Sequence, residues 1–263
     1  MLFRRIREHV RRHDWFAVGI DLLVVILGIY LGFQVTAWDE ERRLLSQREG
    51  YLNRLVVDLK DDVEEAAIVD RLNRLRAGAI KKLELAIAGE QPESDTSELS
   101  MEELVMLNGT RRIFLRRDTF DEMQASGKFG LLINDRSLGD DLVEYYSDRV
   151  VRDQFVATQE HYEERFREQF AGVLTSDQLL GYWPDLFKSQ VDYDFPEVPG
   201  GSSEVQAVVD AVKARPELVA TLPNLKSTKV QQMREANIVG RQAEALIGRI
   251  ETMLQTGSSV RAE

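Results

Sequence analysis

The chain has 263 residues and a formal net charge of −11, enough for one helical domain beside an anchor and too little for a multi-domain enzyme. It holds no cysteine, which excludes disulfides, thiolate metal sites and thiol catalysis. The acidic balance repels nucleic-acid backbones, so no nucleic-acid partner is expected.

Residues 1–14 form a basic arm in which Arg4, Arg5, Arg7, Arg11 and Arg12 outnumber Glu8 and Asp14. From Trp15 to Trp38 the sequence holds one acid, Asp21, and no base. As a helix, Phe16 to Val35 covers about 30 Å, the thickness of a bilayer's hydrocarbon core. Trp15 and Trp38 then fall at the two membrane interfaces, the level that amphipathic rings prefer, and act as anchors. The first 38 residues balance at +2, leaving −13 to the remainder. Five arginines ahead of the span outweigh Arg42, Arg43 and Arg48 behind it, so the N-terminus is expected in the cytoplasm.

This places the chain in an inner (plasma) membrane, spanning once, with its larger part periplasmic or otherwise extracytoplasmic. The rivals are a buried helix of a soluble domain and a signal peptide cleaved near the small residues Val35, Thr36 and Ala37. The apolar run outlasts an ordinary signal core, which favours a retained anchor. Within the span, Asp21, Gly28 and Gly32 share one stripe, predicted as a helix-packing face. The competing reading is that glycine is simply common in spanning helices.

Residues 39–89 lack proline and carry Leu45, Leu52, Leu55, Val56, Leu59, Val63, Ala66, Leu72, Leu75, Ala79, Leu83 and Ile87 at spacings of three and four. The pattern predicts a long amphipathic stalk helix, continuous with the span and ending near Gly89. Asp58, Asp61, Asp62 and Glu65 share a face, read as an acidic solvent surface in preference to a cation site.

Residues 90–256 are predicted as the remainder of the helical domain. Pro92 lies in a polar turn. Ser100 with Glu103 and Thr119 with Glu122 have capping-box spacing, opening helices that end at Leu107 and near Gly127. Between them, Arg111 to Arg117 set two arginine pairs around an apolar triplet. Arg111, Arg112, Arg116 and Arg117 either pair with neighbouring carboxylates or form a patch for an anionic partner. Ser137 with Asp140 marks the start of one long helix to about Val173. Its stripe, with Leu138, Leu142, Tyr145, Val151, Phe155, Thr158, Tyr162, Phe166 and Phe170, reads as core. Residues 174–203 read as a loop with at most one short helix, followed by two short helices over 203–214 and 216–222. A last helix from Lys226 buries Val230, Met233, Asn237, Gly240, Ala243, Ile247, Ile250 and Leu254. Residues 257–263 form a frayed tail.

Catalytic signatures are missing. Outside the arm the sole histidine is His161, and Thr158 stands where a Glu-x-x-His metal motif needs its acid. No nucleophile elbow, phosphate loop or dinucleotide fingerprint occurs. No enzyme, cofactor or metal is expected.

The opening Leu2 to Val10, the apolar span with Gly28, and Gln34 followed by Ala37, Trp38, Asp39, Glu40 and Glu41 resemble a family of uncharacterised single-pass bacterial membrane proteins. Thr119 to Tyr146 is similar to a second pattern of that family, Thr-Phe through Ser-Gly to Tyr-Tyr. Ala37 and Asp39 stand where the family carries asparagine. The resemblance implies the topology and supplies no catalytic residue.

The expected fold is all-α: one transmembrane helix continuing into a stalk and an antiparallel, partly coiled-coil helical bundle. The expected function is an anchored interaction or structural protein that pairs with itself, as a homo-oligomer, or with another envelope membrane protein. The second reading is a ligand-sensing bundle that signals through a membrane partner.

Overall fold

In the computed structural model, residues 15–90, 98–147, 161–182, 194–196, 198 and 201–260 are described. The first element, α1, is a single helix, Trp15–Ala88. No proline interrupts it, and it stops where Gly89 takes φ +74. There the Gly89 N–H donates to Ala86 O at 3.2 Å and the Glu90 N–H to Leu85 O at 3.0 Å, closing off the last free carbonyls.

The chain divides into two compact units at Asn53 and Arg54, inside α1 and not at either end of the expected stalk. In the first unit the apolar side chains from Leu22 to Val35 are 47–73% exposed, so nothing among the described residues covers them. Among the described residues α1 is the one helix long and apolar enough to cross a membrane.

The second unit begins at Arg54 and holds α2 (Met101–Leu107), α3 (Asp118–Ala125), a 3-10 helix (Lys128–Asp135) and α4 (Arg136–Ser147). Residues 161–170 are helical (α5), followed by α6 (Ser176–Gly181), α7 (Ser202–Lys213), α8 (Pro216–Val219) and α9 (Leu222–Val260). Among the described residues there is no strand, only an isolated bridge between Ala171 and Leu174, so the protein is all-α.

One core joins the end of α1 (Ala79, Ile80, Leu83) to α2 (Leu104), α5 (Phe166, Phe170), α7 (Val212) and α9 (Leu222, Leu225). Burying each Leu or Phe there contributes roughly 1.5–3 kcal/mol. A run of polar links shows α9 passing α1 in the opposite direction. Lys60 Nζ meets Glu251 Oε1 at 3.0 Å, Asn237 Nδ2 donates to Asp70 Oδ1 at 2.7 Å, and Lys226 Nζ meets Glu84 Oε2 at 2.7 Å. As α1 advances from Lys60 to Glu84, α9 retreats from Glu251 to Lys226.

Several expectations change. The box at Ser100 and Glu103 forms, but Thr119 is no cap: α3 starts at Asp118, and Thr119 is buried with its N–H turned to Asp58. A second capping box, unforeseen, opens α6 at Thr175 and Gln178. A 3-10 helix precedes α4, whose continuation through Val151, Phe155 and Thr158 lies outside the described residues. Tyr162 is 40% exposed and not core, while Phe166 and Phe170 are buried. Leu75 of α1 and Val230 of α9 are exposed, because the buried register of α9 passes through Thr228, Lys229, Ala236, Val239, Ala243, Leu246 and Ile250. Helix α9 begins at Leu222, earlier than Lys226, and runs to Val260 through residues expected to fray.

Candidate functional site

Among the described residues, nothing is brought against Gly28 or Gly32. A Cβ added at Gly28 or at Gly32 would meet no atom within 4 Å. Thr36 Oγ1 donates back to Gly32 O at 2.9 Å within the helix. Trp38 is exposed, with the Arg42 guanidinium 4.2 Å from its ring centre one turn on. The basic arm lies outside the described residues, as do the side chains of Trp15 and Asp21.

The arginine-rich segment carries the most developed surface site. Gly109, at its start, lies beside the Arg76 guanidinium, and Thr119, just past its end, donates its N–H to Asp58 Oδ2 at 3.1 Å. Residues 58 and 76 are about 27 Å apart along a helix rising 1.5 Å per residue. Covering that with the ten steps from Gly109 to Thr119 needs about 2.7 Å per residue, near a strand's rise and far above a helix's. Burial alternates accordingly. Arg111, Ile113, Leu115 and Arg117 are half-buried, and Arg112, Phe114 and Arg116 are exposed. The segment is an extended strap lying along α1 and running against it.

Carboxylates of α1 hold the strap. Glu65 takes both Arg111 Nε (3.1 Å) and Nη2 (2.7 Å), a bidentate pair whose planar geometry suits guanidinium. Asp61 lies 3.7 Å from Arg116 Nε, both well exposed, so that pair is screened. Arg117 Nη2 meets Asp121 at 3.0 Å and places its guanidinium 5.8 Å from the rings of Phe120 and Tyr146. Asp62 is the buried centre: its Oδ1 accepts the Arg116 N–H at 2.7 Å and its Oδ2 the Tyr145 hydroxyl at 2.9 Å. Burial pushes its carboxyl up to about 6, Asp58 and Asp61 add to the rise, and the two hydrogen bonds oppose it. The acidic face expected to be solvated is therefore the seat of the strap, because the strap's N–H and guanidinium groups need acceptors.

Beside the strap lies an open groove of about 920 Å³, edged by Asp61, Glu64, Ile68, Arg112 and Phe114. Its lining is of mixed charge. The four arginines thus share one strap, with Arg111 and Arg117 half-buried and Arg112 and Arg116 outward.

A second polar centre went unforeseen. Lys229 of α9 and Glu163 of α5 form a buried ion pair, and Gln232 Nε2 donates to the same Glu163 oxygen at 2.9 Å. Arg76 is buried too, giving Nε to Met106 O at 3.1 Å and Nη1 to Asn73 Oδ1 at 3.3 Å. Burial pulls the Lys229 ammonium down to about 8 and Arg76 to about 10, against the pull of Glu163. Hydropathy hides these residues because charged side chains read as surface; the signal was Lys229 standing where a 3.6-residue period calls for core. His161, the first described residue of α5, is exposed beside Tyr162. Among the described residues no group of three or more His, Asp or Glu is placed to hold a metal.

No family model matches the chain, and no curated protein or solved structure matches it either.

Proposed function

We propose that the chain is an inner-membrane anchored protein whose helical part lies outside the cytoplasm and works by binding other envelope proteins or its own copies. The observation that carries the reading is the apolar face from Leu22 to Val35, at least 47% exposed at each large apolar side chain and bounded by the exposed Trp38. Such a surface is stable in lipid and unstable in water. The arginine arm ahead of it supports a cytoplasmic N-terminus. The links between Lys60 and Glu251 and between Lys226 and Glu84 support an antiparallel bundle beyond the membrane.

Alkaline phosphatase fused after Gln255 should be active in cells, and the protein should stay in the membrane fraction after alkaline washing. Activity of a cytoplasmic reporter at the same position would overturn the orientation. A mature protein beginning at Trp38 would overturn the anchor. Crosslinking in membranes followed by purification in detergent should then recover a second copy or a distinct envelope protein.

A further inference from the structure

We infer that the free edge of the strap, at Ile113 to Leu115, is where a partner docks, by adding an extended acidic segment as a β-strand. The inference rests on the reading of the chain as an interaction protein and names the surface and the chemistry it uses.

The backbone supplies the first argument. Among the described residues, the N–H and C=O groups of Ile113, Phe114 and Leu115 make no hydrogen bond. In an extended chain successive residues turn these groups to opposite edges. The Arg116 N–H is spent on Asp62, so that edge faces α1. Phe114, two residues back, shares it. Ile113 and Leu115 therefore turn their N–H and C=O to the opposite edge, the arrangement that accepts an added strand.

The side chains supply the second. Arg112, Phe114 and Arg116 alternate on the outward face, and Phe114 is 66% exposed. A strand laid on the free edge sets its own side chains directly opposite on the same face, where opposite charges and apolar pairs attract. The matching pattern is acidic, apolar, acidic at every second residue.

The test uses the full chain in detergent micelles and a fluorescent ten-residue peptide with Glu, Leu and Glu at alternate positions and Val or Thr between them. The parent peptide should raise the anisotropy saturably. Two versions, N-methylated on one or the other set of alternate amides, should differ: one set blocks the bonded edge and weakens binding at least tenfold, and the other leaves it unchanged. Phe114→Asp and the pair Arg112→Glu with Arg116→Glu should each weaken binding at least tenfold, with unchanged circular dichroism because all three side chains are exposed. Failure of the parent peptide to bind, equal binding by both methylated versions, or indifference to Phe114→Asp overturns strand addition here. The membrane reading is judged separately by the reporter fusions, so a lost peptide site leaves it standing.

Discussion

Lys229 and Glu163 face each other across α9 and α5 with side chains only 1% and 4% exposed. A pair so dry gains its attraction at a large desolvation cost, and the two nearly cancel. Removing one partner is different, since it strands a charge.

Lys229→Met should therefore lower the unfolding free energy by about 3–5 kcal/mol, the usual cost of breaking a buried pair. The double change Lys229→Met with Glu163→Leu should recover most of it. Denaturant titration of the full chain in detergent checks both; a double variant as weak as the single one contradicts the account.

Asp62 sets a pH dependence whose sign is unusual for a carboxylate. Its folded value of about 6 lies above the ordinary 3.8, so between those limits the folded state binds more protons than the unfolded. Asp62 then makes stability fall as pH rises through that window, by at most about 3 kcal/mol at 1.36 kcal/mol per unit. Asp62→Asn should remove this contribution while keeping an acceptor for the Arg116 N–H. Unfolding curves of both proteins at pH 4, 5, 6 and 7 should show the variant gaining on the wild type as pH rises. Parallel profiles would count against a buried, proton-holding Asp62.

Gly109 leaves no room for a side chain. A Cβ there would sit 2.7 Å from Arg76 Nη2, and Arg76 is buried and tied to Met106 O and Asn73. Gly109→Ala should push the guanidinium off its acceptors and cost about 1–3 kcal/mol, as overpacking usually does. Gly78, with nothing within 4 Å of its added Cβ, is the control. Gly78→Ala sits mid-helix and should stabilise by about 0.5–1 kcal/mol. Thermal melts of the two variants should move in opposite directions.

Gly28 and Gly32 carry open space on their Cβ side, as two helices in close approach require. Gly28→Ile, Gly32→Ile and Asp21→Leu should weaken self-association of the span several-fold in a membrane two-hybrid assay, and Leu23→Ile should not. Equal signals from all four would sink the packing stripe.

The extent of α1 could be read from sequence because its patterning is long and no proline breaks it. Its stop at Gly89 could be read because only a φ-positive residue closes a helix that way without strain. The strap could not. Ile113 and Leu115 alternate like a strand, yet the segment is tied to a helix 46–54 residues earlier in the chain, as Arg111 to Glu65 and Arg116 to Asp62 mark. Four arginines in a row of seven look like solvent-facing charge until those carboxylates are brought beside them. In α9 the error came from Val230, which suggested a buried position one residue beyond the true one at Lys229.

The pairing of Lys60 with Glu251 spans 191 residues of sequence. A ribosome adding roughly 5–20 residues per second needs on the order of 10–40 s to cover that distance. Through that interval the half of α1 that α9 will pair with has emerged without it, and Ala66 has yet to meet Gly240. The order of synthesis therefore makes α1 depend on α9, the last of the described helices. A chain stopped at Lys213 should show this as rapid protease cleavage within residues 54–75, while the full chain resists. The protein's vulnerable moment lies in its biosynthesis: a chaperone or a neighbouring nascent copy that shields this half of α1 would decide how much of the product reaches its folded state.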